Sequence, residues 1–212
     1  SIKYNEKRND KMNGGRKKMK TLDDKQIGNI RYHINNNSRN PQRDNLLFNL
    51  SLRQGLRSIE ISNIKWGNIL DIKDGNIEYK KMMNIHNTQT KGNYGGRDIP
   101  IHKETLESLI KYYEKRYYST DSNGNPIEDQ NIISLRKDPS KIKDFLNQYI
   151  IRSQRELKMS NLSITNFFHT LYQSMGMIGY GSHSGRRTFI TECSKKISLF
   201  GGSLKDVQEL SG

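Results

Sequence analysis

The stretch GYGSHSGRRTFIT, residues 179–191, decides how the rest of this chain is read. His183 and Arg186 stand three residues apart, a spacing that lets both side chains face one ligand from a helix. The pair falls where that helix begins, and a helix N-terminus favours an anion. With five histidines in the chain, one His-x-x-Arg can also arise by chance. The flanking glycines permit a phosphate-loop reading as well. No Gly-Lys-Ser/Thr follows them, however, so a nucleotide P-loop is unsupported. The pair gains meaning only with partners elsewhere.

Composition says what kind of ligand to expect. The 212 residues carry 36 Lys or Arg against 22 Asp or Glu, a formal net charge of +14. A chain this basic favours a polyanionic partner, with nucleic acid first. An anionic membrane surface is the rival, but no basic amphipathic helix with an aromatic-rich face is evident. No apolar run approaches the roughly 20 residues needed to span a bilayer, and no signal peptide opens the chain. Cys193 is the single cysteine, which rules out an internal disulfide and points to a reducing compartment such as the cytoplasm. Mean hydropathy is −0.90, polar but still patterned.

Residues 1–20 hold eight Lys or Arg, among them Lys17, Lys18 and Lys20, against Glu6 and Asp10. They read as a flexible basic arm or linker that tracks phosphates without reading bases. A solvated tail explains them equally well. Residues 21–212 are patterned as one domain. Thr21 is a candidate cap for a first helix carrying Ile27, Ile30 and Ile34, and Pro41 begins a second with Leu46, Leu47 and Leu50. Ser58–Ile64 suggests a short third helix. Strand-like segments follow at Asn68–Ile72, Asn76–Lys80 and Asp98–Ile101, with a turn at Lys73–Asn76. Further helices are expected over 103–118, 139–157, 163–174, 186–196 and 203–210. The fold class is therefore mainly α with a small three-stranded antiparallel sheet.

Two more segments carry candidate chemistry. In RQGLRSIEI, residues 53–61, Arg57 follows Gly55 and Leu56 at a corner between helices. A guanidinium fixed there presents a planar fork to phosphate oxygens. Glu60, three residues on, can hold Arg57 if the turn is helical. In TQTKGNYGGRDIPI, residues 88–101, Lys91 occupies a turn between strands, where it can reach a phosphodiester as a mobile proton donor. Each has a plain alternative, a surface arginine near a helix end and an ordinary hairpin lysine.

Together, RQGLRSIEI, TKGNYGGRDIPI and SHSGRRTFIT resemble, in this order, the signature boxes of the tyrosine recombinases and phage integrases. GGSLKDVQELSG, residues 201–212, resembles the stretch leading to that family's Leu-x-Gly-His box. The resemblance spans residues 21–212 and implies the family's catalytic-domain fold. It implies that Arg57 and Arg186 clamp a scissile DNA phosphate, with Glu60 supporting the first. It further implies that Lys91 protonates the leaving 5′-oxygen and that His183 assists proton transfer. Arg187 and the basic arm, Lys17, Lys18 and Lys20, are expected to contact double-stranded DNA. The resemblance also implies a homo-oligomer, a tetramer on DNA, with no cofactor and no metal in the chemistry. The family's nucleophilic tyrosine would lie beyond Gly212, so residues 1–212 are expected to bind DNA without cleaving it. Tyr180 does not match the nucleophile's place.

Several conspicuous residues read as structural. Tyr112, Tyr113, Tyr117 and Tyr118 suit helix packing better than base stacking. His33, His86, His102 and His169 show no ligand spacing, and Cys193 falls inside a helix. Trp66 is expected to anchor the first helical layer against the sheet. Rival functions remain open at this point: a type IB topoisomerase with a similar catalytic set, a non-catalytic DNA-binding relative, and, more remotely, an RNA-binding module.

Overall fold

In the computed structural model, which describes residues 20–86, 96–199 and 204–211, Asp23 starts the first helix, α1 (Asp24–Asn37). Its carboxylate accepts from the Gln26 backbone N–H, and the Gln26 side chain accepts from the Asp23 N–H. That reciprocal cap places the start two residues later than Thr21. Ile27, Ile30 and Ile34 form the buried stripe of α1. Pro41 opens α2 (Pro41–Leu52), whose residues from Leu46 to Leu52 are all buried. A helix buried on every side belongs at the centre, and α2 packs on α1, on α4 (Lys103–Tyr117) and on α8 (Ser184–Leu199). The short helix α3 (Ser58–Asn63) packs on α7 (Asn161–Ser174), and α9 (Leu204–Ser211) packs on α8.

The described strands form three separate antiparallel pairs rather than one three-stranded sheet. β1 (Leu70–Lys73) and β2 (Asn76–Tyr79) are joined through Asp74 and Gly75, both at positive φ, as a tight hairpin turn requires. The expected strand near Asp98 is present as β4 (Arg97–Pro100). It pairs not with β2 but with β3 (Met82–Ile85), a strand that the sequence reading did not anticipate. A bend at Lys81 separates β2 from β3 and interrupts the ladder. β5 (Tyr118–Thr120) and β6 (Pro126–Glu128) flank the polar SNGNP loop.

The long helix expected over 139–157 is a correction. Only α6 (Ile142–Leu146) forms there. Beyond it the chain extends alongside residues 64–66: Ile150 N–H donates to Ile64 O at 3.0 Å and Trp66 N–H to Gln148 O at 3.1 Å. Pairing with a distant segment thus wins over the helix expected from local sequence. An unanticipated helix, α5 (Gln130–Lys137), is capped by Asp129. Trp66 is fully buried, edge-on to Tyr113 at 5.6 Å and stacked on Phe145 at 6.2 Å. It ties the start of the β1–β2 hairpin to α4 and α6, and Tyr112 and Tyr113 lie in the core, as their spacing suggested. No helix of the described residues is long and apolar enough to cross a membrane.

Candidate active site

Two glycines bring the distant arginines together. Gly55 ends the turn after α2 at φ +65°, and a Cβ there would lie 2.2 Å from Phe189 Cδ1 of α8. A Cβ at Gly185 would lie 2.3 Å from Ser51 Oγ and 3.1 Å from Leu52 N. Both positions exclude a side chain because the end of α2 and the first turn of α8 touch there. Arg186, next to Gly185, then reaches across the contact, and its Nη1 donates to Gly55 O at 2.6 Å. That carbonyl is only two residues before Arg57, so 131 positions of chain are closed by one hydrogen bond.

Arg57 caps α3, and its backbone N–H donates to Glu60 Oε1 at 2.9 Å. Its guanidinium stands 3.7 Å from Glu60 Oε2, a loose contact. The carboxylate has a closer partner. Arg97, from β4, forks onto it with Nη1 to Oε2 at 2.6 Å and Nη2 to Oε1 at 2.9 Å. The Arg97 Nε donates to Leu210 O at the end of α9, 3.2 Å away. Glu60 is completely buried and Arg97 nearly so. Bidentate charge-assisted pairing is what makes such burial tolerable.

The electrostatics follow from this crowding. Burial alone would raise the Glu60 carboxyl, but the Arg97 hydrogen bonds, the Arg57 N–H and both guanidinium charges outweigh it and hold it below its ordinary value. Arg186 moves oppositely: burial, then the neighbouring Arg57 charge, lower it to about 10, with Arg97 adding to the repulsion and Glu60 opposing it. It stays protonated at neutral pH. Three guanidiniums thus crowd one carboxylate among the described residues, a surplus of positive charge that an anion would relieve.

His183 is exposed at the start of α8, one turn before Arg186, and its carbonyl accepts from Arg187 N–H at 2.9 Å. Arg187 is half-buried. Lys20 lies beside this segment: its N–H donates to Gly179 O at 3.1 Å and its ammonium sits 5.7 Å above the Tyr180 ring. Tyr180 itself packs near Tyr172 and accepts from Gln26 Nε2 at 2.8 Å. Lys91, Lys17 and Lys18 lie outside the described residues. The structure therefore gathers Arg57, Glu60 and Arg186 and places His183 on the same helix start. Arg97 is the member that sequence reading missed. Its signal was an arginine in alternation with buried Ile99, on the core-facing register of a strand. Among the described residues, no group of three or more His, Cys, Asp or Glu is arranged to hold a metal ion.

This arrangement can be set beside known proteins. The sequence model of the phage integrase family matches residues 20–212. The chain belongs to the phage integrase family. The solved structures agree on the fold of this integrase-family domain. The Tn1549 transposon integrase in complex with a circular intermediate DNA is similar at a TM-score of 0.58 and 15% identity, over 96% of this chain and 60% of that one. The XerA recombinase gives 0.58 at 16% identity, over 92% and 55%. The XerH site-specific recombinase, bound to a palindromic difH substrate after cleavage, gives 0.59 at 16% identity, over 93% and 47%. This chain thus spans about half to three-fifths of the length of these structures. No curated protein matches it in sequence.

Proposed function

We propose that this chain supplies the catalytic domain of a site-specific DNA recombinase, serving integration or excision of a mobile element. The observation that carries the reading is the closure of Arg186 onto Gly55 O beside Arg57, while the adjacent Glu60 is taken up by Arg97. Two guanidiniums from opposite ends of the domain are thereby held in a pocket of positive charge, which suits a single backbone phosphate.

In this reading a tyrosine oxygen attacks the scissile phosphorus, and the bond from phosphorus to the 5′-oxygen breaks. The products are a 3′-phosphotyrosyl link and a 5′-hydroxyl, which takes a proton from Lys91. A 5′-hydroxyl of another strand reverses the step, so the phosphoester is conserved and no nucleotide is consumed. Arg57 and Arg186 balance the charge that builds on the non-bridging oxygens. His183, exposed at the helix start, joins them and relays a proton. The attacking tyrosine is placed C-terminal to the LSG of residues 210–212, not at Tyr180, which is engaged in packing. Lys20, Arg187 and the basic arm with Lys17 and Lys18 contact flanking phosphates of double-stranded DNA. Four copies assemble on two duplexes.

The test is a nicked suicide duplex carrying the target site, incubated with the full-length protein. A covalent protein–DNA adduct at a 3′-phosphate is expected. A protein that binds the duplex tightly yet never forms an adduct is a non-catalytic relative, and the reading falls.

A further inference from the structure

The extended chain after α6 builds a small platform whose two sides differ in chemistry. Lys65 pairs antiparallel with Tyr149, and Arg152 with Lys158. Ile64, Trp66, Ile150, Ile151 and Met159 of the same segments are buried in the core. Away from the core, one half-buried ring holds two cations. The Lys65 ammonium lies 5.3 Å from the centroid of Tyr149, and the Lys158 ammonium 4.5 Å from it. Lys158 also donates to Asn63 Oδ1 at 2.6 Å, a neutral partner. Residues 61–69 contain no acidic side chain, and residues 147–160 contain only Glu156, which pairs with Arg116 at 2.8 Å. These segments therefore supply no carboxylate to balance the two lysines.

Like charges gathered on one ring repel each other, and an anion relieves that repulsion. A long side chain also loses rotamer freedom when a ligand fixes it, and a cation held over an aromatic face has lost much of that freedom beforehand. Asn63, which Lys158 meets, ends α3, the helix that Arg57 caps. Six helical residues extend about 9 Å, under three base steps of a duplex at about 3.4 Å each. The platform and the candidate site are thus near enough to lie along one duplex. We propose that Lys65, Tyr149 and Lys158 form a seat for the DNA backbone, in which each ammonium takes one phosphate and the ring holds both ammoniums in place. The proposal rests on the recombinase reading for its ligand, a duplex, but not for its test.

Backbone contacts are independent of sequence, so the probe is a duplex of about 30 base pairs and arbitrary sequence, titrated with the full-length protein at several salt concentrations. Lys65→Gln and Lys158→Gln should each reduce the slope of log affinity against log salt by about 1, which amounts to about tenfold weaker binding at 0.1 M salt. The double variant should lose about 2 in slope. Lys158→Arg, which keeps the charge, should retain the wild-type slope. Tyr149→Leu leaves both charges and should keep the slope while weakening binding about threefold or more, because the ammoniums are then ordered only on binding. Lys111→Gln, on the side of α4 that faces Arg31 and Asn45, should match wild type. Unchanged slopes in both single lysine variants, or an equal loss in Lys111→Gln, overturn the seat, the first pointing to a purely structural contact and the second to diffuse charge. Wild-type affinity in Tyr149→Leu overturns the role of the ring. The suicide-duplex assay separates this inference from the reading beneath it. Wild-type adducts with unchanged slopes remove the seat alone, whereas the predicted slopes without any adduct uphold the seat and remove the recombinase reading.

Discussion

Two glutamates of this domain each gather arginines, and they do so differently. Glu104, at the start of α4, meets Arg31 at 2.6 Å and Arg53 at 2.8 Å, while Arg53 also reaches Glu192 at 3.4 Å. Two carboxylates balance two guanidiniums, and the cluster is open to water, with Glu104 32% exposed. Glu60 is 0% exposed and has three arginines around it. The first cluster is electrically satisfied and joins α1, α2 and α4. The second, among the described residues, has more guanidiniums than carboxylates around a Glu60 that water does not reach. Surplus, rather than the mere presence of ion pairs, separates a candidate site from a structural clamp.

The largest contrast is expected in chemistry. Arg186→Ala in the full-length protein should lower adduct formation by about 100- to 1,000-fold or more while duplex affinity changes little. Arg31→Ala in the other cluster should leave the rate unchanged. Equal losses would erase the distinction.

Stability should separate the two next. Glu60→Gln strands Arg97 in the interior and should cost about 3–5 kcal/mol in urea unfolding. Glu104→Gln should cost about 1 kcal/mol or less. Acid sharpens the same comparison. Because the folded state holds the Glu60 carboxyl below its ordinary value, its contribution is complete above about pH 4.5 and is lost as pH falls through the lower folded value. Unfolding free energy followed downward from pH 5 should therefore fall less steeply in Glu60→Gln than in wild type.

A smaller effect tests the close contact that joins the arginines. Gly185→Ala should cost about 1–3 kcal/mol by forcing α8 from α2, and it should reduce the adduct rate in the folded fraction. A wild-type melting curve for this variant would show that the contact yields freely.

Much of this was legible in the sequence. The Ile27, Ile30, Ile34 stripe and the Pro41 start gave helices where helices are found, and the order of the motif boxes led to Arg57, Glu60 and Arg186. What stayed hidden was non-local. The extended run after Leu146 is fixed by hydrogen bonds to residues 64–66, which no local period records. β3, buried at Met83 and Ile85, is held by its pairing with β4 across the chain. Arg97 was overlooked because a charged residue in a strand reads as solvent-facing until its buried counter-charge, 37 positions away, is seen. The sequence reading assigned Glu60 to Arg57 because helical spacing favours near neighbours, yet the tighter bond goes to the strand.

The glycine contacts carry a last implication. Since bare backbone at Gly55 and Gly185 sets how near α8 comes to the end of α2, the gap between the segments that carry Arg57 and Arg186 is gauged from inside the domain. In the recombinase reading, the outer face with Lys20 and Arg187 could then be reshaped for a different duplex sequence without moving the two arginines relative to each other.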